Sequence, residues 1–409
     1  KKKNCAKNPW CVYGLGEKEG IWRNNLQVLE CLGLDPNEHL RKVDTTNSNS
    51  TKLLPPAGLK NLGATCYLNV LIQSLFHNLL VQDAILNMET TSSKQGTSRS
   101  NGDVWFQVIL ELQRAFAHMK YSSHGVVDLN RFVELLGLDK NTQQDPQEFN
   151  KLFLSSIESA SLKQKYSKCM SFNSLLLGKM KYTTTCMSCK TDRDPPQHPF
   201  HELDLSIEGS RTIEEALSKY FAVEHLRNEN QYECSVCRRR CDAERATVIV
   251  QTPSMLCLHL LRYGYDRETA DRKKLTNEMT FPDQLELCGE RYRLTSVLYH
   301  KGRSAHGGHY VCDALDWETA QWWHFDDTTV KETTNPAVAI SGAQSSSAHA
   351  TAVDEDFRAC MERARCEPAE DLRGDVQATS IAYQEEVTKY NTAREVLLQE
   401  VEMRKEQYK

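Results

Sequence analysis

Cys66 lies in Gly58-Leu-Lys-Asn-Leu-Gly-Ala-Thr-Cys-Tyr-Leu-Asn69, at the head of an apolar periodicity: Leu68, Leu71, Ile72, Leu75, Phe76, Leu79 and Leu80 recur at helical spacing. A helix starting there aims unpaired N–H groups and the positive end of its dipole at the sulfur, which stabilises the thiolate, the nucleophilic form. Gly63 and Ala64 allow a tight turn and close approach of a substrate backbone. The plain alternative is a small buried cysteine, so a nucleophile reading needs a base. His309 stands 243 residues downstream in Ser304-Ala-His-Gly-Gly-His-Tyr-Val-Cys312, where the pattern predicts a strand over Tyr310–Ala314. His306, two glycines earlier, reads as a loop histidine. A second strand, Trp322-Trp-His-Phe-Asp-Asp327, places two carboxylates 17 and 18 residues beyond His309. Alternation turns Asp326 and Asp327 to opposite faces, so one can lie behind His309, fix its tautomer and stabilise the imidazolium.

A separate chemistry is written in Cys186-Met-Ser-Cys189 and Cys234-Ser-Val-Cys237, two C-x-x-C pairs 44 residues apart. Two-residue spacing lets both sulfurs of a pair face one ion, and four thiolates make the closed tetrahedral shell of a structural zinc. A redox reading is weaker, since neither pair sits in a βαβ context. Cys241 reads as a bystander, and the spacing of Cys5, Cys11, Cys31 and His39 matches no defensible site. The count of 15 cysteines is odd and irregularly spaced, which suits a reducing compartment, cytoplasm or nucleus, better than a disulfide framework.

Positioning these groups falls to two unlike halves of the chain. Helical patterns run through Cys66–Leu80, Val104–His118 and Pro146–Ile157. Strand patterns follow at Lys179–Thr185, Phe200–Ile207, Thr247–Val250, Met255–Arg262, Tyr292–His300, His309–Ala314 and Gln321–Phe325, so the fold class is α+β. Polar stretches at Asp44–Thr51, Thr90–Gly102, Asp192–Pro196 and Thr333–Ala352 punctuate the pattern. With 50 basic and 55 acidic residues the net charge is −5, a poor footing for nucleic acid, and Arg238–Arg240 reads as a solvated turn. No apolar run approaches a membrane span.

Taken together, Gly58–Leu75 and His306–Asp327 resemble the Cys and His boxes of the ubiquitin-specific proteases, and Gln143-Gln-Asp-Pro-Gln-Glu-Phe149 resembles their QQD-x-x-E-F box. The resemblance runs from about Leu53 to Val330, and Asn8–Glu17 and Asp266–Leu275 look most like one branch of the family. It implies a papain-like cysteine protease fold with a helical thumb, a β-rich palm and zinc-ribbon-like fingers. It further implies Cys66 as nucleophile, His309 as base, Asp326 as its orienting acid with Asp327 the second candidate, and Asn61 as an oxyanion amide. Asp145 and Glu148, and Gly308 and Tyr310 beside the base, are the residues expected to meet the ubiquitin tail. The implied activity is hydrolysis of the isopeptide bond after ubiquitin's last glycine, the partners ubiquitin and ubiquitinated proteins, and the rival reading a catalytically silent ubiquitin-binding scaffold.

The expected organisation is an N-terminal extension over 1–52, a catalytic domain over 53–340 with fingers at about 178–250, and a helical segment over 354–409. Ser345-Ser-Ser-Ala-His-Ala-Thr351 lacks the alternation of the closing palm strand that the resemblance leads one to expect. In the last segment Tyr383, Val387, Tyr390, Leu397, Val401 and Tyr408 fall near heptad positions. They read first as a helix packed on its own domain and second as a site for a partner helix.

Overall fold

The computed structural model describes residues 54–88, 101–122, 124–161, 175–193, 195–266, 271–304, 307–337 and 370–407. The N-terminal extension with Cys5, Cys11, Cys31 and His39, the loop residue His306, the Ser345–Thr351 stretch and Tyr408 lie outside them.

The first half is built from β1 (Gly58–Leu59), α1 (Cys66–Phe76), α2 (Leu79–Leu86), α3 (Asn101–Tyr121), β2 (Val126–Val127), α4 (Asn130–Leu135) and α5 (Pro146–Ser161). The apolar run from Leu68 to Leu80 is two helices rather than one. The chain leaves α1 at His77, and Asn78 then caps α2 by accepting from the Val81 N–H at 3.2 Å. Every residue of α1 is buried, which is why its apolar pattern gives no sign of the break. Tyr67, Leu68, Ile72, Phe116, Phe132 and Phe153 anchor the core between these helices. Burying such side chains contributes roughly 1.5–3 kcal/mol each. Pro146 opens α5, and the Asp145 carboxylate accepts from the N–H groups of Gln147 and Glu148 at 2.8 and 3.3 Å.

In the second half, β3 (Gly178–Cys186) lies between short strands β4 (Asp192–Arg193) and β5 (His198–Phe200) on one edge and the long β10 on the other. Next in the chain come β6 (Glu202–Ser206), α6 (Ile213–Tyr220), β7 (Glu224–Leu226), the hairpin β8 (Tyr232–Cys234) and β9 (Arg239–Cys241), and β10 (Ala243–Gln251). Strand β11 (Cys257–Leu261) runs parallel to β6, residue for residue from Cys257 against Glu202. Two hairpins follow, β12 (Tyr263–Asp266) with β13 (Asp271–Lys274) and β14 (Gln284–Leu287) with β15 (Glu290–Arg293). The last sheet is antiparallel in chain order: β16 (Ser296–Ser304), β17 (Gly307–Asp316), β18 (Gln321–Asp326) and β19 (Thr329–Thr333).

Helix α1 packs on β17, where Val70 meets Cys312, Ala314, Trp323 and Phe325 in a buried cluster. That contact joins the helical half to the β half and sets the distance between the two ends that matter, Cys66 on α1 and His309 on β17. A second tie forms at β1, where Leu59 N–H donates to Asp327 O at 2.9 Å. A Cβ on Gly58 would stand 2.7 Å from the same oxygen, so the approach requires glycine.

After the sheet, α7 (Glu370–Gln407) returns to the helical half and packs on α3. Val376 enters the helical core at 2% exposure, Val387 is buried, and the Tyr383 ring lies tilted against His124 with centroids 3.9 Å apart. This half of the heptad-like pattern therefore serves packing on its own chain. Among the described residues no helix is long and apolar enough to cross a membrane.

Candidate active site

Five residues before α1, the chain turns into a small hydrogen-bonded frame. Asn61 Oδ1 accepts from the N–H of Gly63 and of Thr65 and from Thr65 Oγ1, at 3.0, 3.3 and 3.3 Å, while Thr65 Oγ1 accepts from Leu62 N–H. Because backbone N–H groups only donate, this fixes which end of the amide is oxygen. Asn61 Nδ2 therefore points the other way and donates to Asp327 Oδ2 at 2.8 Å. One of its two hydrogens is used there, and one is left.

Cys66 is the first residue of α1 and is only 3% exposed. Burial pushes its thiol above the ordinary cysteine value. The N–H groups of Tyr310, Tyr67 and Cys66 itself pull it down, and the Asp327 charge pushes it up again, with a net rise. Helix-start activation is thus outweighed by burial, and the sulfur stands as a neutral thiol at neutral pH. Its side-chain hydrogen bond comes from Gln143 Nε2 at 3.6 Å. Among the described residues no hydrogen bond joins Cys66 to His309.

His309, third residue of β17, turns Nε2 to Asp326 Oδ1 at 2.6 Å, with Asp327 Oδ2 at 3.9 Å. Nδ1 is the nitrogen left to serve a thiol. Partial burial pushes the Asp326 carboxyl up, but the hydrogen bond and charge of His309, helped by Lys301 Nζ at 3.5 Å, outweigh it and hold the acid below the usual range. Both carboxylates reach this corner, contrary to the alternation expected of a strand. Asp326 ends β18, and Asp327 has already left it with φ of 50°, in the left-handed region, which swings its side chain back toward the site. There it accepts from Asn61 and also from Asn69 Nδ2 at 2.8 Å.

Asn61, His309, Asp326 and Asp327 thus meet in one network, and Cys66 joins it through Gln143, whose Oε1 accepts from Gly308 N–H at 3.1 Å. Asp145 and Glu148 are exposed at the start of α5, and Asp145 lies close enough to Tyr310 and Tyr263 for its charge to raise both phenols, after burial. Two participants escaped the sequence reading. Gln143 stands in the sequence only as the first residue of its box. Asn69 had a signal of its own, a polar residue three positions after Cys66 on the apolar stretch of a buried helix.

The four paired cysteines converge at the tips of β3 and of the β8–β9 hairpin. Their sulfurs lie within 4.8 Å of one another, with Cys189–Cys234 at 3.6 Å and Cys186–Cys237 at 4.0 Å. Each pair closes the same turn: Lys190 N–H reaches Cys186 O and Arg238 N–H reaches Cys234 O, both at 2.8 Å, with Lys190 and Arg238 at φ of 56° and 51°. Such turns aim N–H groups at sulfur, as Cys237 N–H does at Cys234 Sγ, 3.4 Å away. The Cys189 N–H leads in bringing the Cys186 thiol down to about 6, whereas the neighbouring sulfurs, Cys189 first, push Cys237 up. Four sulfurs this close together, with N–H groups aimed among them, are the donor set that a shared cation would occupy. These residues fit a metal. Cys241, buried beside them, donates through its sulfur to Arg239 O and is not one of the four grouped sulfurs.

The family model described as "Ubiquitin carboxyl-terminal hydrolase" matches residues 57–355. The chain is similar to ubiquitin carboxyl-terminal hydrolase 26 of Arabidopsis thaliana, 33% identical over 347 residues, covering 80% of this chain and 31% of the relative. It is likewise similar to ubiquitin carboxyl-terminal hydrolase 48 of Danio rerio, 33% over 341 residues, with 81% and 31% covered. Ubiquitin carboxyl-terminal hydrolase 7 of Caenorhabditis elegans is 29% identical over 308 residues, with 69% and 26% covered. The chain spans about a third of the length of the first two relatives.

Proposed function

Since the chain belongs to the ubiquitin carboxyl-terminal hydrolase family, we propose that it is a cysteine-type deubiquitinase, hydrolysing the isopeptide bond after ubiquitin's C-terminal glycine on proteins or ubiquitin chains. The observation that carries this reading is a His309–Asp326 pair at 2.6 Å and a helix-start cysteine linked through Gln143 to Gly308 beside that histidine, inside the residues the family model matches.

On this reading His309 Nδ1 takes the Cys66 proton, and the sulfur attacks the carbonyl carbon of the terminal glycine. The second hydrogen of Asn61 Nδ2 and the Cys66 N–H meet the oxyanion, and losing one such donor typically costs about 3 kcal/mol in the barrier. Collapse breaks the C–N bond, and His309 returns the proton to the leaving lysine amine. The same imidazole then deprotonates the water that hydrolyses the thioester. Asp326 holds the imidazole by Nε2 and stabilises its cationic form. Asp145, Glu148, Gly308 and Tyr310 are assigned to the ubiquitin tail, the two acids through charge-assisted pairs with its arginines.

Cys186, Cys189, Cys234 and Cys237 are assigned to one structural zinc that holds the fingers together, a site without an open position and so without a catalytic part. A thiol nucleophile and a thiolate zinc site both belong in reducing surroundings, which favours cytoplasm or nucleus. The same reading takes 53–340 as the catalytic domain. The test is a ubiquitin probe with an electrophilic C-terminus. Labelling that disappears in Cys66→Ala is the expected result, and a native chain that binds ubiquitin yet takes no label would favour the silent scaffold.

A further inference from the structure

Gln143 stands in the segment before α5 and touches both halves of the centre. Its Oε1 accepts from Gly308 N–H at 3.1 Å, and its Nε2 donates to Cys66 Sγ at 3.6 Å. The orientation is not free. Gly308 N–H can only donate, so the carboxamide oxygen must face it, and the NH₂ end is thereby aimed at the sulfur. Gly308 immediately precedes His309 on β17, and Cys66 begins α1. One planar group thus spans the residue beside the base and the nucleophile, which share no hydrogen bond with each other.

We propose that Gln143 is a further residue of the catalytic centre, its N–H supporting negative charge on Cys66 Sγ while its carbonyl holds the His309 strand in register with α1. The proposal rests on the thiol-hydrolase reading above. It answers a difficulty in that reading, because Cys66 is buried and faces the Asp327 carboxylate from the turn after β18. The other titratable groups around it are Tyr67 on its own helix and Tyr310 on β17, with His309 next in that strand and Asp145 beyond Tyr310. None of these except His309 can carry a positive charge, so beside that imidazole a thiolate is supported by N–H donors. The Tyr310, Tyr67 and Cys66 backbone groups supply three, and Gln143 adds a side-chain donor.

The test is the pH dependence of Cys66 alkylation by iodoacetamide in the full chain, followed on the Cys66 peptide by mass spectrometry. This reaction needs the thiolate and neither ubiquitin nor His309-assisted turnover. In Gln143→Leu the donor is lost, and the alkylation midpoint should move up by about one pH unit, a roughly tenfold slower reaction below it. Gln143→Glu keeps the side-chain shape and the acceptor for Gly308 N–H but faces the sulfur with an anion, so its midpoint should move further up than that of Gln143→Leu. Midpoints within experimental error of the native one in both variants would overturn the proposal, as would a lower midpoint in Gln143→Glu than in Gln143→Leu. Shifted curves in a chain that never reacts with the ubiquitin probe would leave the Gln143 contact standing and sink the deubiquitinase reading. A chain that reacts with the probe while the curves superimpose would do the reverse.

Discussion

Asn61 and Asp327 are 266 residues apart in sequence, yet Asn61 Nδ2 donates to Asp327 Oδ2 at 2.8 Å. The carboxylate's other oxygen accepts from Asn69 Nδ2 at the same distance, and its side chain is 15% exposed. Asp327 therefore serves as an anchor for two amides, while Asp326 is the acid in hydrogen-bond contact with the imidazole. The two adjacent residues do different work because Asp327 leaves the strand with a positive φ.

Replacing Asp327 by Asn gives that anchor a donor where an acceptor is needed, so Asn61 or Asn69 is left facing another NH₂ group. Asn61, the amide proposed for the oxyanion, then loses its direction, and kcat/KM should fall by an amount comparable with a lost oxyanion donor, about 3 kcal/mol or a hundredfold and more. Asp326→Asn should lower kcat/KM through weaker support of the imidazolium. The double variant should lose more than either single but less than their sum, since the two acids support different groups within one network around His309. Steady-state kinetics of the three variants on a ubiquitin amide decide this. A double variant no worse than the worse single would mean that the acids act as one.

Stability should follow Asp326 in a definite direction. Its folded-state carboxyl sits below the ordinary value, so its contribution is present above the unfolded pKa and is lost as pH falls through the folded one. Compared by denaturant titration, the native chain and Asp326→Asn should differ most at neutral pH and converge in acid. A gap that widens in acid would contradict the His309–Asp326 pairing.

His309→Ala should abolish turnover and leave ubiquitin binding close to native, because the imidazole enters the chemical step more than the ground-state complex. Calorimetric binding of ubiquitin to His309→Ala, set beside its hydrolysis rate, checks both halves. A native rate would remove His309 from the mechanism.

What the sequence made legible was chemistry carried by local pattern, and what it hid depended on distant approach. Cys66 and His309 stand out because a helix start and a strand start are visible around them. Asn69 and Gln143 reach the site only once α1, β17 and the segment before α5 are packed. Strand alternation misplaced Asp327, since nothing local announced the left-handed turn. Helix α6 went unread despite its Thr212-x-x-Glu215 signature, where Thr212 Oγ1 accepts from Glu215 N–H at 3.2 Å. The break between α1 and α2 was masked for the opposite reason, an apolar pattern so complete that only Asn78 marked it.

Metal analysis of the purified chain should find about one zinc per chain by the four-thiolate count. Removing it with a chelator leaves four sulfurs within 4.8 Å and no cation between them, so the tips of β3 and the β8–β9 hairpin should separate. Expected readouts are a lower melting temperature and weaker ubiquitin capture, with the Cys66 alkylation curve little changed. A metal-free chain of undiminished stability would show that the pairs no longer need an ion.

The packing of α7 on α3 makes the last prediction, one that separates a helix belonging to the domain from one waiting for a partner. Val376 is 2% exposed within the helical core, and Ser380 Oγ lies 3.4 Å from Ser122 Oγ, one turn before the Tyr383 ring meets His124. A fully buried valine contributes roughly 1.5–3 kcal/mol. Val376→Ala should remove a large part of that, and Val376→Asp should cost more, because a buried carboxylate there has no partner to offset its desolvation. Ile381, at 56% exposure on the same helix, is the control, and Ile381→Ala should change stability by less than about 0.5 kcal/mol. Urea titrations of the three variants measure this directly. Equal and negligible effects at Val376 and Ile381 would mean that α7 is not held on the domain in solution, and the reading of its heptad-like residues as a partner site would then take precedence.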